Sequence, residues 1–367
     1  MRIERIELRR YVLPLDPPFA AAWDPVPRDR VEATLVFVHA DEGLVGVGSG
    51  DTMDGFERWT GLFVGEDPLA LERHVRVLET LAFHAARYWP LEAALWDLAG
   101  QAAGRPVAEL LGAAVTRLPA YASSGEALPP AERTERALQA REAGFRALKL
   151  RIDRGRVAEG VAAVRAVRDA VGDRLELMVD LNQAWRMPGD VSDPLDRETV
   201  FRVADELAEL GVLWLEEPLP ARDLEGLRRL RARVRTAGGE MTRTVDELEA
   251  SLAGEALDVL QPDAVLAVGT TRAAELARRT HEAGRWFTPH TWTNGIGLLA
   301  NLHLAAGVGA GPYLEFPFDP PVWTPDRRDW MLAEPLALDG DGSLAVPAEP
   351  GLGVVLDHDR LEAHRVG

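Results

Sequence analysis

From residue 118 onward, short apolar runs alternate with longer amphipathic segments rich in Ala, Arg and Glu. This alternation predicts strands connected by helices, and over roughly 200 residues it is typical of a (β/α)₈ barrel. A doubly wound open sheet is the alternative. The eight predicted strands are residues 118–122, 147–150, 175–180, 212–216, 234–240, 259–261, 286–289 and 313–315. Pro317, Pro320 and Pro321 follow the eighth run directly, so we expect an α/β fold of the (β/α)₇β type, a modified TIM barrel without the last helix.

Polar residues stand at the C-terminal ends of the predicted strands. In a barrel of this type, catalytic side chains lie at that end. They are Lys149 and Arg151, Asp180 and Asn182, Glu216, Glu240, Asp263, His290 and Glu315. From Lys149 to Glu315 the spacings are 31, 36, 24, 23, 27 and 25 residues when one residue is taken from each strand, about one strand–helix unit each. Consecutive strands should therefore bring these side chains onto one rim.

Three of these residues, Asp180, Glu216 and Glu240, are carboxylates at the ends of consecutive strands. A single acidic residue there most often caps a helix or pairs with Arg. Three in succession predict an oxygen-rich site for a hard divalent cation such as Mg²⁺.

The remaining polar strand ends suggest acid–base chemistry. Asp263 and His290 could form a dyad in which the carboxylate orients the imidazole and increases its basicity. Lys149 and Arg151 are two residues apart on one strand and should point to the same side. His290 lies in a segment rich in polar and glycine residues, 288–295, which favours a functional role over a structural one, and Trp292 in the same segment is a candidate substrate contact.

The regions outside the barrel are predicted to form a second domain. Residues 1–113 read as an antiparallel meander followed by helices, an α+β capping domain, and residues 114–315 form the barrel. Residues 316–367 should pack back on the capping domain. Two capping loops are candidates for substrate contact, an apolar one with Trp23 and a more polar one with Asp51.

Composition excludes several classes of function. The formal net charge is −18, which argues against nucleic-acid binding. No apolar stretch is long enough for a membrane helix, and the first residues alternate as in a strand and do not resemble a signal peptide. Without cysteine, disulfides and thiolate metal sites are excluded, and a cytoplasmic location is expected.

Together these motifs resemble the enolase superfamily, and specifically its mandelate racemase subgroup. The segments that carry the resemblance are residues 91–100, 145–151, 180–183, 214–218, 238–240 and 261–263, together with His290. The related muconate-lactonising subgroup has a lysine on the sixth strand, where this chain has Asp263.

The resemblance implies one Mg²⁺ per subunit, a small hydroxy-carboxylate substrate and a homo-oligomer between dimer and octamer. A base would remove the proton α to the substrate's carboxylate and leave an enediolate stabilised by the metal. Lys149 would neutralise the substrate carboxylate, and Asn182 would lie beside the metal-bound hydroxyl. Glu315 would donate a hydrogen bond, which requires a protonated side chain with a raised pKa.

One position departs from the racemase pattern. The subgroup has Lys-x-Lys on the second strand, and this chain has Arg151 at the second lysine. Arg keeps its proton, so His290 is the one credible base. A one-base reaction predicts an acid-sugar dehydratase, a hydro-lyase that forms a 2-keto-3-deoxy acid. A racemase or epimerase of a 2-hydroxy acid and a non-catalytic ligand-binding descendant are the alternatives.

Overall fold

The N-terminal part folds as strands followed by helices. The computed structural model describes residues 1–50 and 53–366. An antiparallel meander consists of β1 (Ile3–Phe19), β2 (Arg28–Ala40) and β3 (Val45–Gly50). The helices α1 (Leu71–His84), α2 (Trp89–Ala103) and α3 (Val107–Leu111) follow. This is the α+β arrangement predicted for the cap.

Helix α2 packs unusually close to β3 because two glycines face it. A Cβ atom at Gly46 would lie 2.0 Å from the Ala94 carbonyl oxygen, and one at Gly48 would lie 2.1 Å from that of Pro90. Any larger residue would push the helix outward. The contact positions α2 between the meander and the barrel.

The barrel contains eight parallel strands. They are β4 (Arg117–Ser123), β5 (Ala147–Arg151), β6 (Glu176–Asp180), β7 (Val212–Glu216), β8 (Thr236–Gly238), β9 (Val259–Leu260), β10 (Trp286–Phe287) and β11 (Leu314–Pro317). Each pairs with the next from β4 to β10, and β11 pairs back with β4. Two hydrogen bonds bridge the last gap: the Gly311 N–H donates to the Phe287 oxygen at 3.2 Å, and the Thr288 hydroxyl donates to the Tyr313 oxygen at 2.6 Å. All eight predicted strands are confirmed.

Seven helices connect these strands. They are α4 (Pro130–Glu142), α5 (Val157–Val171), α6 (Arg197–Glu209), α7 (Leu224–Leu230), α8 (Val245–Ala253), α9 (Gly269–Glu282) and α10 (Gly295–Val308). After β11 the described chain does not continue into an eighth barrel helix: Pro320 and Pro321 follow the strand, and the next helix, α11 (Pro325–Arg328), has four residues. The predicted (β/α)₇β fold is confirmed.

The C-terminal segment returns to both parts of the molecule. β12 (Ser343–Ala345) pairs antiparallel with the start of β4, and α12 (His358–His364) leads into β13 (Arg365–Val366). β13 pairs with β1 at Arg10 and Tyr11, so the segment adds a strand to the cap sheet. The domain boundaries at residues 113 and 315 stay predictions.

Within the described part of the chain, no helix has the length and apolarity to span a bilayer.

Candidate active site at the carboxyl ends of the barrel strands

The parallel strands bring the predicted polar residues together at one end of the barrel. The side chains of Lys149, Asp180, Glu216, Asp263 and Glu315 are fully buried, and those of Arg151, Glu240 and His290 nearly so. So many charges away from water are costly unless they are paired or bind a cation. The cluster is therefore built for charge chemistry and not for stability alone.

The three carboxylates predicted as metal ligands lie side by side. Asp180 ends β6, Glu216 ends β7, and Glu240 follows β8 after Gly239, whose φ of +110° suits glycine. One oxygen of each carboxylate lies within 4.8 Å of the other two. Three oxygen donors of this kind match the preference of a hard divalent cation that completes its shell with water or substrate oxygens. The donor set thus fits Mg²⁺.

Lys149 lies among three of the barrel's carboxylates. Its ammonium contacts Glu216 and lies 2.7 Å from Oε1 of Glu315 and 3.8 Å from Oδ2 of Asp180. The ring of Tyr121, with its centroid 5.4 Å from Nζ, covers another side. Lys149 is thereby fixed as a positive charge in the floor of the site.

Arg151 uses its whole guanidinium group in contacts with the protein. It is paired with Asp180 and donates to Oδ1 of Asn182 at 3.1 Å, the Ser124 carbonyl at 2.8 Å and the Ser123 hydroxyl at 3.3 Å. The ring of Trp23 lies 4.7 Å from its central carbon. Lys149 and Arg151 thus point to the same side of β5, as predicted.

Burial and charge divide the carboxylates into two groups. Burial raises the pKa of Asp180 well above its ordinary value and also raises that of Glu240. Burial would raise the pKa of Glu216 and Glu315 too, but the positive charges around them, Lys149 first and Arg151 as well, together outweigh it and lower both.

The expected protonation of Glu315 is wrong for the protein without substrate. Its Oε1 accepts hydrogen bonds from Lys149 and, at 2.7 Å, from the Ser123 hydroxyl, and its Oε2 accepts from the Thr291 N–H at 2.9 Å. All these groups donate, and they stabilise the ionised carboxylate. Glu315 therefore fixes Lys149 and does not donate a hydrogen bond.

His290 and Asp263 form the predicted pair. The His290 Nδ1 atom lies 2.9 Å from Oδ2 of Asp263, while Oδ1 of Asp263 accepts from the Val265 N–H at 2.8 Å and Asn301 Nδ2 at 3.1 Å. The imidazole Nε2 lies on the other side, 3.5 Å from Oε2 of Glu240. Burial alone would lower the pKa of His290, but the charges of Glu240, Glu315 and Asp263 outweigh it and raise the pKa to about 9.

A cavity of about 90 Å³ adjoins these groups. Arg151, Asn182, Glu240 and His290 form its polar wall. The other described residues that line it are Trp23, Arg28, Trp185, Met187, Met241, Leu266 and Trp292. The predicted substrate contacts Asn182, Trp23 and Trp292 thus line one cavity, whereas Asp51 lies outside the described residues.

Several residues of the site were not predicted. The Trp185 indole N–H donates to Oε1 of Glu240 at 2.8 Å, and Oε2 of Glu216 accepts from Trp214 at 3.0 Å and Gln261 at 2.8 Å. These donors orient two carboxylates of the candidate metal site. Trp214 and Gln261 lie within sequence segments that carry the family resemblance, 214–218 and 261–263. Their place in these segments was the signal that could have identified them as site residues.

Glu217 was also missed, although it is the direct neighbour of Glu216. It is buried at a φ of +43°, and burial together with Glu240 and Asp180 raises its pKa well above the ordinary value.

Comparison with known protein families gives two matches that together span most of the chain. Residues 9–112 match the mandelate racemase / muconate lactonizing enzyme N-terminal domain. Residues 132–360 match the enolase C-terminal domain-like family.

Individual relatives have different activities. The L-talarate/galactarate dehydratase of Salmonella typhimurium is 32% identical over 76% of this chain and 65% of its own length. The D-galactarolactone cycloisomerase of Agrobacterium fabrum is 29% identical over 96% of both chains. A racemase from Streptomyces coelicolor, solved with bound magnesium, superimposes with a TM-score of 0.84 at 26% identity over 99% of this chain and 100% of its own.

Proposed function

Because the chain belongs to the mandelate racemase / muconate lactonizing enzyme family of the enolase superfamily, we propose that it is a Mg²⁺-dependent dehydratase of a 2,3-dihydroxy carboxylate, a sugar acid or a related hydroxy acid. The family membership confirms the resemblance drawn from the motifs. Its relatives include dehydratases, cycloisomerases and epimerases, so the reaction depends on this chain's own site.

The proposal depends mainly on one observation: a single base faces the cavity. Of the described residues that line it, Glu240 and His290 alone have side chains that accept a proton in the ordinary pH range, and Glu240 belongs to the carboxylate triad. On the side where a second base would be needed, Arg151 is bound to Asp180, Asn182 and two serines. A guanidinium does not give up its proton near neutral pH.

Asp180, Glu216 and Glu240 would hold the cation. Bound Mg²⁺ supplies positive charge beside the substrate carboxylate, where negative charge develops as the α-proton leaves. Lys149, held by Glu216 and Glu315, adds a fixed positive charge to the same region.

His290 performs the proton transfers in this proposal. In its neutral form the imidazole removes the proton from C2 with Nε2, and the C2–H electron pair forms the C2–C3 double bond as the C3–O bond breaks. The protonated imidazole returns a proton to the departing hydroxide, which leaves as water. The enol then tautomerises to a 2-keto-3-deoxy acid, so the net change is loss of one water.

Cycloisomerisation is a second candidate. It is supported by the relative that matches 96% of both chains, and it also needs one base to begin elimination. Racemisation of a 2-hydroxy acid fits less well because it requires a base on each face of the substrate.

Incubation with Mg²⁺ and a panel of open-chain and cyclic hydroxy acids in D₂O tests the proposal. A dehydratase releases a keto acid, detected as its semicarbazone, and the His290→Asn variant should not. An isomer of unchanged mass would favour the cycloisomerase. Deuterium at C2 of recovered, inverted substrate without a keto acid would contradict both.

A further inference from the structure

The cavity beside His290 is small compared with its neighbours on the same face of the barrel. At about 90 Å³ it falls below the range of about 300–1,000 Å³ that is usual for small-molecule sites. Two larger cavities, of about 820 and 500 Å³, lie next to it. Of the described residues, Trp185 alone lines all three.

The indole of Trp185 is held in place as a wall between these cavities. It belongs to the connection between β6 and α6, and its N–H donates to Oε1 of Glu240 at 2.8 Å. Gln183 fixes that connection at two points, since its Nε2 donates to the Pro218 carbonyl and its Oε1 accepts from the Leu195 N–H, both at 2.6 Å. A ring bonded to a buried carboxylate on an anchored segment is not free to swing aside.

The two sides of this wall differ in chemistry. On the small side, aromatic and aliphatic side chains such as Trp23, Trp292 and Leu266 surround the polar groups of the reaction. On the 820 Å³ side, Arg222, Glu247 and other polar residues line the cavity. Arg28 adds to the polar groups of the small side, and beyond Trp185 the hydroxyl groups of a long sugar acid would find further hydrogen-bond partners.

We propose that Trp185 determines substrate length and restricts the enzyme to hydroxy acids of three or four carbons. The proposal rests on the function proposed above. Carbons beyond C4 would have to occupy the volume of the indole ring, which packing at protein density does not allow. Removal of the ring joins the small cavity to the large polar one and admits acids of five and six carbons.

A ladder of 2,3-dihydroxy acids from three to six carbons tests this for wild type, Trp185→Ala and Trp185→Leu. Trp59→Ala is the matched control, because that indole belongs to the cap and lines none of the three cavities. Two readouts are measured with Mg²⁺ present: binding of each acid by calorimetry, and α-deuteration plus keto-acid formation in D₂O.

We expect wild type and Trp59→Ala to lose at least about tenfold in affinity and kcat/KM from four to six carbons. The Ala and Leu variants should reverse that preference. Trp185→Phe should keep the length limit but lower kcat, because its ring remains while the donor to Glu240 is lost.

Equal affinity and kcat/KM for all chain lengths in wild type would overturn the proposal. So would a ratio of kcat/KM for six-carbon to four-carbon acids that is unchanged in both the Ala and the Leu variant. If no acid reacts but binding follows the predicted ladder, the length limit stands and the dehydratase proposal fails. If the acids react without any length preference, the dehydratase proposal stands and the length limit fails.

Discussion

The Nδ1 atom of His290 lies 2.9 Å from Oδ2 of Asp263, and the other oxygen of this carboxylate is fixed by the Val265 N–H and Asn301. The Asp263 carboxylate is therefore held in one orientation, in which only Oδ2 accepts a hydrogen bond from the imidazole. The contact fixes a proton on Nδ1, so Nε2, which lies 3.5 Å from Oε2 of Glu240, is the nitrogen that can act on a substrate.

Replacement of Asp263 by Asn should lower kcat by about 10²–10⁴-fold, because an amide does not stabilise the imidazolium and allows the wrong tautomer. The pKa of His290, about 9 in the intact protein, should also fall. Steady-state kinetics and an NMR titration of His290 measure the two effects. Asp258→Asn is the control: it removes a carboxylate just before β9 that pairs with Arg231 and Arg285, so stability should fall while kcat is kept. Equal kcat losses in both variants would contradict a specific role for Asp263.

Replacement of Arg151 by Lys should weaken the enzyme and not create a racemase. Lysine keeps the charge but cannot reproduce the contacts with Asn182, Ser123 and the Ser124 carbonyl, nor the stacking on Trp23. We expect kcat/KM for dehydration to fall by about 10–100-fold, as when a contact to a metal-binding carboxylate is removed. Chiral analysis of recovered substrate provides the second readout, and substantial inversion at C2 would show that position 151 limits the native enzyme to one face.

Removal of the Lys149 charge should destabilise the fold. In Lys149→Met, Glu216 and Glu315 remain buried and close together without their shared cation. Breaking a buried ion pair in this way costs about 3–5 kcal/mol of unfolding free energy. Denaturant titration in EDTA measures it. The double variant Lys149→Met with Glu315→Gln should recover part of the loss, and strict additivity of the two changes would contradict direct coupling.

Stability should depend on pH through His303. This imidazole lies between the cap and the C-terminal segment: its Nδ1 accepts from the Ala108 N–H at 3.1 Å and its Nε2 lies 3.2 Å from the Leu352 carbonyl. Burial lowers its pKa from 6.5 to about 4. The unfolded chain therefore binds a proton more readily, so stability is complete above pH 6.5 and decreases as the pH falls toward 4, by about 3 kcal/mol at most.

Unfolding of wild type and His303→Gln between pH 7.5 and 4 measures this contribution as a difference. Asp97 accepts from the Leu352 N–H, next to the carbonyl that His303 contacts, and is present in both proteins. Its contribution to the pH dependence of stability therefore cancels to first order in the difference. The exposed His281, changed to Gln, is the control and should keep the wild-type slope. A constant difference between wild type and His303→Gln would contradict the prediction.

The barrel could be predicted from the sequence because each apolar run is short and ends at a polar or turn residue. This pattern is visible among residues that are close in the chain. It predicted the rim for the same reason: Asp180, Glu216 and Glu240 each lie at or just beyond the end of a strand. Trp185 was not predicted because it lies in a connection without periodicity, and its role depends on where Glu240 arrives from another strand. The predicted protonation of Glu315 was wrong for the protein without substrate because it depends on Lys149, whose distance of 2.7 Å no spacing along the chain reveals.

The junction between cap and barrel should tolerate no side chain at Gly269. This residue begins α9 at a φ of +80°, and a Cβ atom there would lie 1.9 Å from Oε2 of Glu92 and 2.6 Å from Cε3 of Trp89. Glu92 reaches from α2 of the cap to accept from the Thr271 N–H at 2.8 Å, in the first turn of α9. Gly269→Ala would thus add both backbone strain and a clash with a buried carboxylate.

Gly284→Ala separates these two effects. Gly284 follows the other end of α9 at a φ of +67°, and nothing lies within 4 Å of a Cβ atom there, so its substitution introduces backbone strain alone. We expect Gly269→Ala to cost about 1–3 kcal/mol more unfolding free energy than Gly284→Ala, the usual penalty for overpacking. Chemical denaturation of both variants measures the difference. Equal losses would mean that Glu92 and Trp89 move aside easily, and that the cap is less firmly seated on α9 than these contacts require.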